Sequence, residues 1–219
     1  MERPFTDRRE AGRMLAGRLA AYAGRRDVVV LALPRGGVPV AFEVATALDV
    51  PLDVLPVCKL GTPWQPELAM GALSSNGAQF VDEALIREAG VSAGQLQSAI
   101  ATARIELGRR EIRYRGERAP VPVAGRVTLV IDDGMATGAS LKAAARALAT
   151  LGPARIVAAL PVAPVDARAR LGSAVDEVVC VLAPQHFYSV GQFYFDFEQV
   201  SDETVRALLD KAADHPGAG

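Results

Sequence analysis

The chain has 219 residues, half of them hydrophobic and 22% charged, with a formal net charge of −1. This composition suits one globular domain of ordinary α/β size with a substantial core. It argues against nucleic-acid binding through bulk positive charge, and no apolar run reaches the roughly 20 residues of a membrane span. The first ten residues are charged and lack the apolar centre of a signal peptide. Cys58 and Cys180 lie alone in apolar, strand-like runs, where reduced core thiols are expected rather than a disulfide or metal site. A cytoplasmic protein with neither membrane nor nucleic-acid partners is the expectation. No internal repeat is visible, and the tail 214–219 reads as loose.

Residues Asp7 to Tyr22 place Ala11, Met14, Leu15, Leu19 and Tyr22 at helical spacing, with arginines on the other side. Gly24 ends that helix. Val28 to Leu33 is a continuous apolar run, suited to a strand covered on both faces in a parallel sheet. Pro34-Arg35-Gly36-Gly37 follows, then a helix from Val38 to Leu48. The glycine pair opens backbone conformations closed to other residues and permits close approach of a ligand. Arg35 adds a guanidinium able to grip a diphosphate bidentately. Leu52 to Leu60 reads as a second strand, with Lys59 at its exit.

From 61 to 118 the plain strand–helix alternation lapses. Leu68–Leu73 and Ala78–Val81 flank Ser74-Ser75-Asn76-Gly77, whose Asn-Gly step favours a hairpin turn. Asp82 is placed to cap a short helix ending before Gly90. Ser92 and Gln95 have the spacing of a capping box for a longer helix reaching Tyr114. Arg104, Arg109, Arg110, Arg113, Arg115 and Arg118, interspersed with Glu106, Glu111 and Glu117, read mainly as a solvated face, and otherwise as an anion or nucleic-acid patch.

The most informative stretch is Thr128 to Ser140. Leu129, Val130 and Ile131 form a short β-favouring run, and Asp132 and Asp133 sit where that strand should end. A loop of small residues, Gly134 to Ser140, then runs into the strong helix former Leu141–Leu148. Backbone N–H groups at a helix N-terminus point at a phosphate, and small residues let it come close. Thr137 and Ser140 can add hydroxyl donors. The two carboxylates would repel a phosphate; they suit a neighbouring polyol or a hard cation. Together these parts describe a sugar-phosphate site. The run Val130–Ser140 resembles the phosphoribosyl-diphosphate (PRPP) motif of the type I phosphoribosyltransferases, in which hydrophobic residues lead into two acids and a Thr-Gly pair follows.

Further strands are expected over Ala154–Val162 and Asp176–Leu182, with helices at Asp166–Leu171 and Asp202–Ala213. Five strands with intervening helices predict an α/β fold: an open, doubly wound, mostly parallel five-stranded sheet with flanking helices. Loops at the strand C-termini would gather Arg35, Asp132, Asp133 and Thr137–Ser140 in one crevice. Residues 183–197 hold six aromatics, half of the chain's total. Phe187 and Tyr188 are the candidates for stacking on a flat acceptor. Phe193, Tyr194, Phe195 and Phe197 are expected to form a small aromatic core, and His186 either donates to a base or lies exposed.

The resemblance implies one domain over 1–213, with a flexible-loop insertion at 61–118, whose segment Pro63–Glu67 would move, and a hood at 183–200. It implies transfer of the 5-phosphoribosyl group from PRPP to a nitrogenous acceptor, with release of pyrophosphate and help from Mg²⁺. Ala136, Thr137, Gly138, Ala139 and Ser140 would then hold the 5-phosphate. Arg35, Gly36, Gly37 and Lys59 would hold the pyrophosphate. Asp132 and Asp133 would be the catalytic carboxylates, meeting the metal directly or through ribose hydroxyls and water. A homodimer is also implied. Family members acting on 6-oxopurines carry an Asp before the Thr-Gly pair; Ala136 has no proton to trade, which disfavours hypoxanthine and guanine and leaves the acceptor open. The alternative is a non-catalytic sensor of PRPP or nucleotide on the same fold. P-loop and dinucleotide fingerprints are absent.

Overall fold

The computed structural model describes residues 4–66 and 68–214. The tail beyond Asp214 and Glu67 of the expected mobile segment lie outside the described residues. After helix α1 (Arg8–Arg18), strand β1 (Val28–Ala32), helix α2 (Gly37–Leu48) and strand β2 (Leu52–Val54) form the first strand–helix–strand unit. An insertion follows with β3 (Val57–Gly61), β4 (Ala69–Ser74), β5 (Gln79–Val81), α3 (Glu83–Glu88) and α4 (Ala93–Arg115). The chain then returns to the main sheet through β6 (Val127–Ile131), α5 (Ala139–Ala149), β7 (Arg155–Val162), α6 (Ala167–Leu171), β8 (Glu177–Leu182) and α7 (Asp202–Ala213).

The main sheet has the order β2-β1-β6-β7-β8, and every pairing is parallel. Apolar residues alternate between its faces as a strand's period of two requires. Val28, Val30 and Ala32 face a core shared with Leu15 of α1, Val44 of α2 and Val205 of α7. Val29, Leu31 and Val130 face a second core with Leu148 of α5 and Leu171 of α6. The expected five-stranded, doubly wound α/β sheet is present. Strand order runs one way from β1 to β2 and the other way from β6 to β8, so the direction reverses between β1 and β6. Such a switch point leaves a crevice at the strand C-termini.

The run Leu52–Leu60, expected as one strand, divides at Leu55-Pro56. Pro56 has no N–H to continue a ladder. β3 therefore leaves the main sheet and pairs antiparallel with β4, which pairs antiparallel with β5 across the expected Asn76-Gly77 turn. Lys59 accordingly sits on this small three-stranded sheet and not at the exit of a core strand. Asp82 caps α3 by accepting from the Leu85 N–H at 3.0 Å, and Ser92 and Gln95 form the capping box of α4. Leu60, Met70 and Leu73 pack with Ile100, Ala103 and Leu107 to give the insertion its own core.

Two further expectations are corrected by packing. Arg115, read as part of a solvated face, is buried: its side chain is 3% exposed and lies 3.1 Å from Asp53 of β2. The last turn of α4 runs into the edge of the main sheet there, and the guanidinium also donates to the Val54 carbonyl at 3.1 Å. Phe193 and Tyr194 form the buried part of the small aromatic core, joined by Phe5 from the N-terminus, and the Phe197 ring packs on Tyr194 at 4.9 Å from its surface side. Phe195 is 74% exposed and Phe197 stays partly exposed. Phe5 N–H donates to the Phe193 carbonyl at 3.1 Å and Phe195 N–H to the Phe5 carbonyl at 2.8 Å, so the N-terminal segment and the hood hold each other. Among the described residues, no helix is long and apolar enough to cross a membrane.

Candidate active site

The register of the central strands sets the site. Ala32 of β1 is opposite Ile131 of β6, and Leu33 N–H donates to the Ile131 carbonyl at 2.8 Å. The Pro34–Gly37 loop and the Asp132–Asp133 pair therefore leave the sheet at the same level, side by side at the switch point. The Pro34–Arg35 peptide is cis.

Gly36 is in the right-handed region, with φ −60°, so it is not an unusual backbone conformation that calls for glycine. Space does. A Cβ on Gly36 would lie 2.0 Å from Asp133 Oδ2, and one on Gly37 would lie 2.7 Å from the Ile131 carbonyl oxygen. Gly138 differs: it caps α5 at φ +80°, in the left-handed region that a Cβ disfavours.

Asp133 is tied down by a residue that sequence reading missed. Arg8, at the start of α1, donates from Nε to Asp133 Oδ2 at 2.8 Å, and the two side chains are only 11% and 15% exposed. Arg8 Nη1 donates to the Glu198 carbonyl at 2.8 Å, and its guanidinium carbon sits 3.9 Å from the centre of the Phe197 ring. The Tyr194 hydroxyl donates to the Asp133 carbonyl at 2.6 Å. One arginine thus joins the N-terminus, the hood and the acid pair. No local spacing announces a contact 125 residues apart.

Asp132 accepts from the Asp133 N–H at 2.9 Å. Burial, with the Asp133 charge next, pushes the Asp132 carboxyl well above the usual carboxylate range. Burial also lifts Asp133, while the Arg8 guanidinium pulls it back down. Two adjacent carboxylates offer hard oxygen donors. Magnesium is typically held by one or two carboxylates together with substrate phosphates and water. Among the described residues no group of three or more His, Cys, Asp or Glu side chains converges on a metal position. The donor set therefore fits an ion that comes with a diphosphate, and does not form a closed protein cage.

Beside the acid pair, Ala136, Thr137, Ala139 and Ser140 are exposed around the N-terminus of α5. Arg170 Nη1 donates to the Ala136 carbonyl at 2.9 Å and its Nε meets Asp166 at 2.8 Å. Ala136, Thr137, Pro164, Asp166, Phe187 and Tyr188 share the walls of a cavity of about 400 Å³. The Phe187 ring packs on Phe193 at 5.4 Å, whereas Tyr188 is 81% exposed. The structure thus brings both aromatic candidates to the loop that enters α5, while His186 lies exposed outside that cavity's lining. Lys59 lines a different cavity, of about 570 Å³, between β3 and α4. Arg35 points its Nη1 to within 3.8 Å of Asp202 Oδ1.

The model of the phosphoribosyl transferase domain family matches residues 7–198. Two curated proteins of Mycobacterium tuberculosis, provisionally named as phosphoribosyl transferases, are 48% identical over 208 residues, which is 95% of this chain and 47% of theirs. The chain spans about half the length of these curated relatives. A crystal structure of a Thermus thermophilus protein matches with a TM-score of 0.85 at 43% identity, covering 94% of this chain and 98% of that one.

Proposed function

The chain belongs to the phosphoribosyltransferase family, and on that premise we propose that it moves the 5-phosphoribosyl group of PRPP to a nitrogenous small molecule and releases pyrophosphate. The contact between Gly36 and the Asp133 carboxylate carries this reading. It sets a small-residue, arginine-bearing loop directly against an acid pair, and the acid pair runs into a helix N-terminus. A phosphorylated sugar bearing a diphosphate needs those three grips in that order.

In this reading the N–H groups of the first α5 turn and the Thr137 and Ser140 hydroxyls hold the 5-phosphate. Asp132 and Asp133 accept from the ribose hydroxyls, and Arg35 with the Gly36–Gly37 backbone holds the diphosphate. The acceptor nitrogen forms its bond to ribose C1 as the C1–O bond breaks. The electron pair leaves with pyrophosphate, and the acceptor gives up a proton to solvent. Positive charge develops on the ribose ring, so carboxylates fixed before the reaction lower its barrier electrostatically. Magnesium, when bound with the diphosphate, neutralises charge on the leaving group. A flat heterocycle suits the cavity beside Phe187 and Tyr188, and Ala136 supplies no proton-handling group there.

Pyrophosphate release from PRPP and Mg²⁺, measured across a panel of bases and amines, tests this. Release that depends on one acceptor class is the expected result. Efficient turnover of guanine would overturn the Ala136 argument, and PRPP binding without release for any acceptor would favour a regulatory sensor. A second prediction concerns Arg8. Arg8→Gln keeps a donor but removes the charge, so Asp133 loses the group that holds its carboxyl down. PRPP binding should weaken about tenfold, in line with a lost charged hydrogen bond. Because the Asp133 carboxyl rises further, its acid limb should also move to higher pH, which calorimetric titration from acid to neutral pH would show.

A further inference from the structure

On the other side of Arg35 from the glycines lies a second polar cleft, of about 590 Å³. That size is within the range of small-molecule sites. Arg35 forms one wall with Pro34, and Arg109, Arg110 and Arg113 of α4 face it. Two carboxylates, Glu106 and Asp202, also line it. Four guanidinium groups against two carboxylates leave a positive excess in a chain whose net charge is −1.

Both carboxylates are already engaged at the walls. Asp202 accepts from Arg113 Nη1 at 2.6 Å and from the Tyr114 hydroxyl at 2.8 Å. Glu106 accepts from Arg110 Nε at 2.9 Å. Each guanidinium has about five N–H donors, of which a carboxylate contact uses one or two, so these pairs fix the arginines and leave donors unspent. Arg109 makes no hydrogen bond or ion pair among the described residues and is exposed. Guanidinium forks match phosphate and carboxylate oxygens bidentately, and four of them on one cleft suit the several charges of an oligophosphate.

We propose that this cleft binds an oligophosphate anion, either free or as the tail of a nucleotide, at a site separate from the ribose-phosphate crevice and coupled to it through Arg35. The limited volume of the cleft and the negative net charge favour a small anion over a nucleic-acid strand, which would need a longer basic track. The coupling rests on the proposed function, because Arg35 serves both sides: its side chain already lies 3.8 Å from Asp202, and an anion that holds it there withholds it from the PRPP diphosphate. Coupling of this kind is reciprocal, so each ligand should weaken the other.

Calorimetric titration with inorganic triphosphate and with PRPP, on the wild type and on Arg109→Glu, tests the site. Arg109→Glu should weaken triphosphate about tenfold or more and leave PRPP affinity within about twofold, the scale expected for reversing one charge in a phosphate grip. Saturating triphosphate should lower PRPP affinity in the wild type. ATP run alongside separates the two sources: tighter binding than triphosphate assigns a nucleotide, and equal binding assigns a free oligophosphate. Unchanged triphosphate binding in Arg109→Glu would overturn the site. An equal loss of both ligands would overturn its separateness, and tighter binding of a short single-stranded RNA through Arg109 would overturn the small-anion assignment. If PRPP fails to bind the wild type while triphosphate binding still depends on Arg109, the functional reading fails and the cleft stands.

Discussion

Asp132→Asn is expected to weaken PRPP binding about 100-fold, the scale of losing charge-assisted hydrogen bonds to a buried ligand, and yet to stabilise the ligand-free protein. The two effects share one cause. Burial and the Asp133 charge raise the Asp132 carboxyl well above its ordinary range. The folded state therefore holds that proton more tightly than the unfolded state. Stability from this group is present below the ordinary carboxylate pKa and is lost as pH rises towards the raised value. At neutral pH, above the ordinary carboxylate pKa, that stability is forfeited, and an uncharged amide at 132 avoids the loss. A gain on the order of 2–4 °C in melting temperature corresponds to about 1 kcal/mol in a chain of this length. Calorimetry with and without PRPP reads both effects. Unchanged PRPP affinity would remove the acid pair from the site, and a lower melting temperature would refute the burial argument. Adding Asp133→Asn should deepen the loss of binding, but it also strips Arg8 of its partner, so the stability gain belongs to the single variant.

Asp53→Ala should destabilise the protein by about 3 kcal/mol, the low end of the cost of breaking a buried ion pair, because Arg115 keeps the partly exposed Glu111 of its own helix as a second partner. Arg115 would remain buried without its main acceptor. The Val54 and Val121 N–H groups, which donate to the same carboxylate at 2.7 and 3.0 Å, would lose theirs. Urea unfolding of the ligand-free protein measures the change. Arg115→Met added to Asp53→Ala should recover part of it, since removing both charges is milder than removing one. A change below about 1 kcal/mol for Asp53→Ala would mean that water reaches the guanidinium and that the pair does not tie the insertion to the main sheet.

The main sheet was legible because four of its strands are near-continuous apolar runs, and a parallel sheet covered on both faces requires that pattern. Asp82, Ser92 and Asn76-Gly77 were legible because caps and turns depend on residues three or four apart. The break at Pro56 was visible in principle: a proline inside an apparent strand already argued for two. Arg8 with Asp133, Arg115 with Asp53 and Phe5 with Tyr194 were not legible, because each contact joins segments far apart in the chain. Of the candidate site, the sequence located the loops but not what lies between them. The glycines at 36 and 37 were read as room for a ligand, whereas the nearest group to Gly36 is the protein's own carboxylate.

That crowding has a consequence for how such a protein can change. Position 36 and the Asp133 carboxylate compete for one small volume, so a side chain gained at 36 requires a simultaneous retreat at 133, and no single substitution supplies both. The loops hung from β1 and β6 are locked together in this way. The cavity beside Phe187 and Tyr188 is built mostly from segments that follow β7 and β8, and only Ala136 and Thr137 come from the locked side. Under the proposed function, donor grip and acceptor choice would thus be carried by different strands of one sheet. Recruitment to a new acceptor, by natural drift or by design, has a route through residues 164–188 that leaves the ribose-phosphate grip untouched.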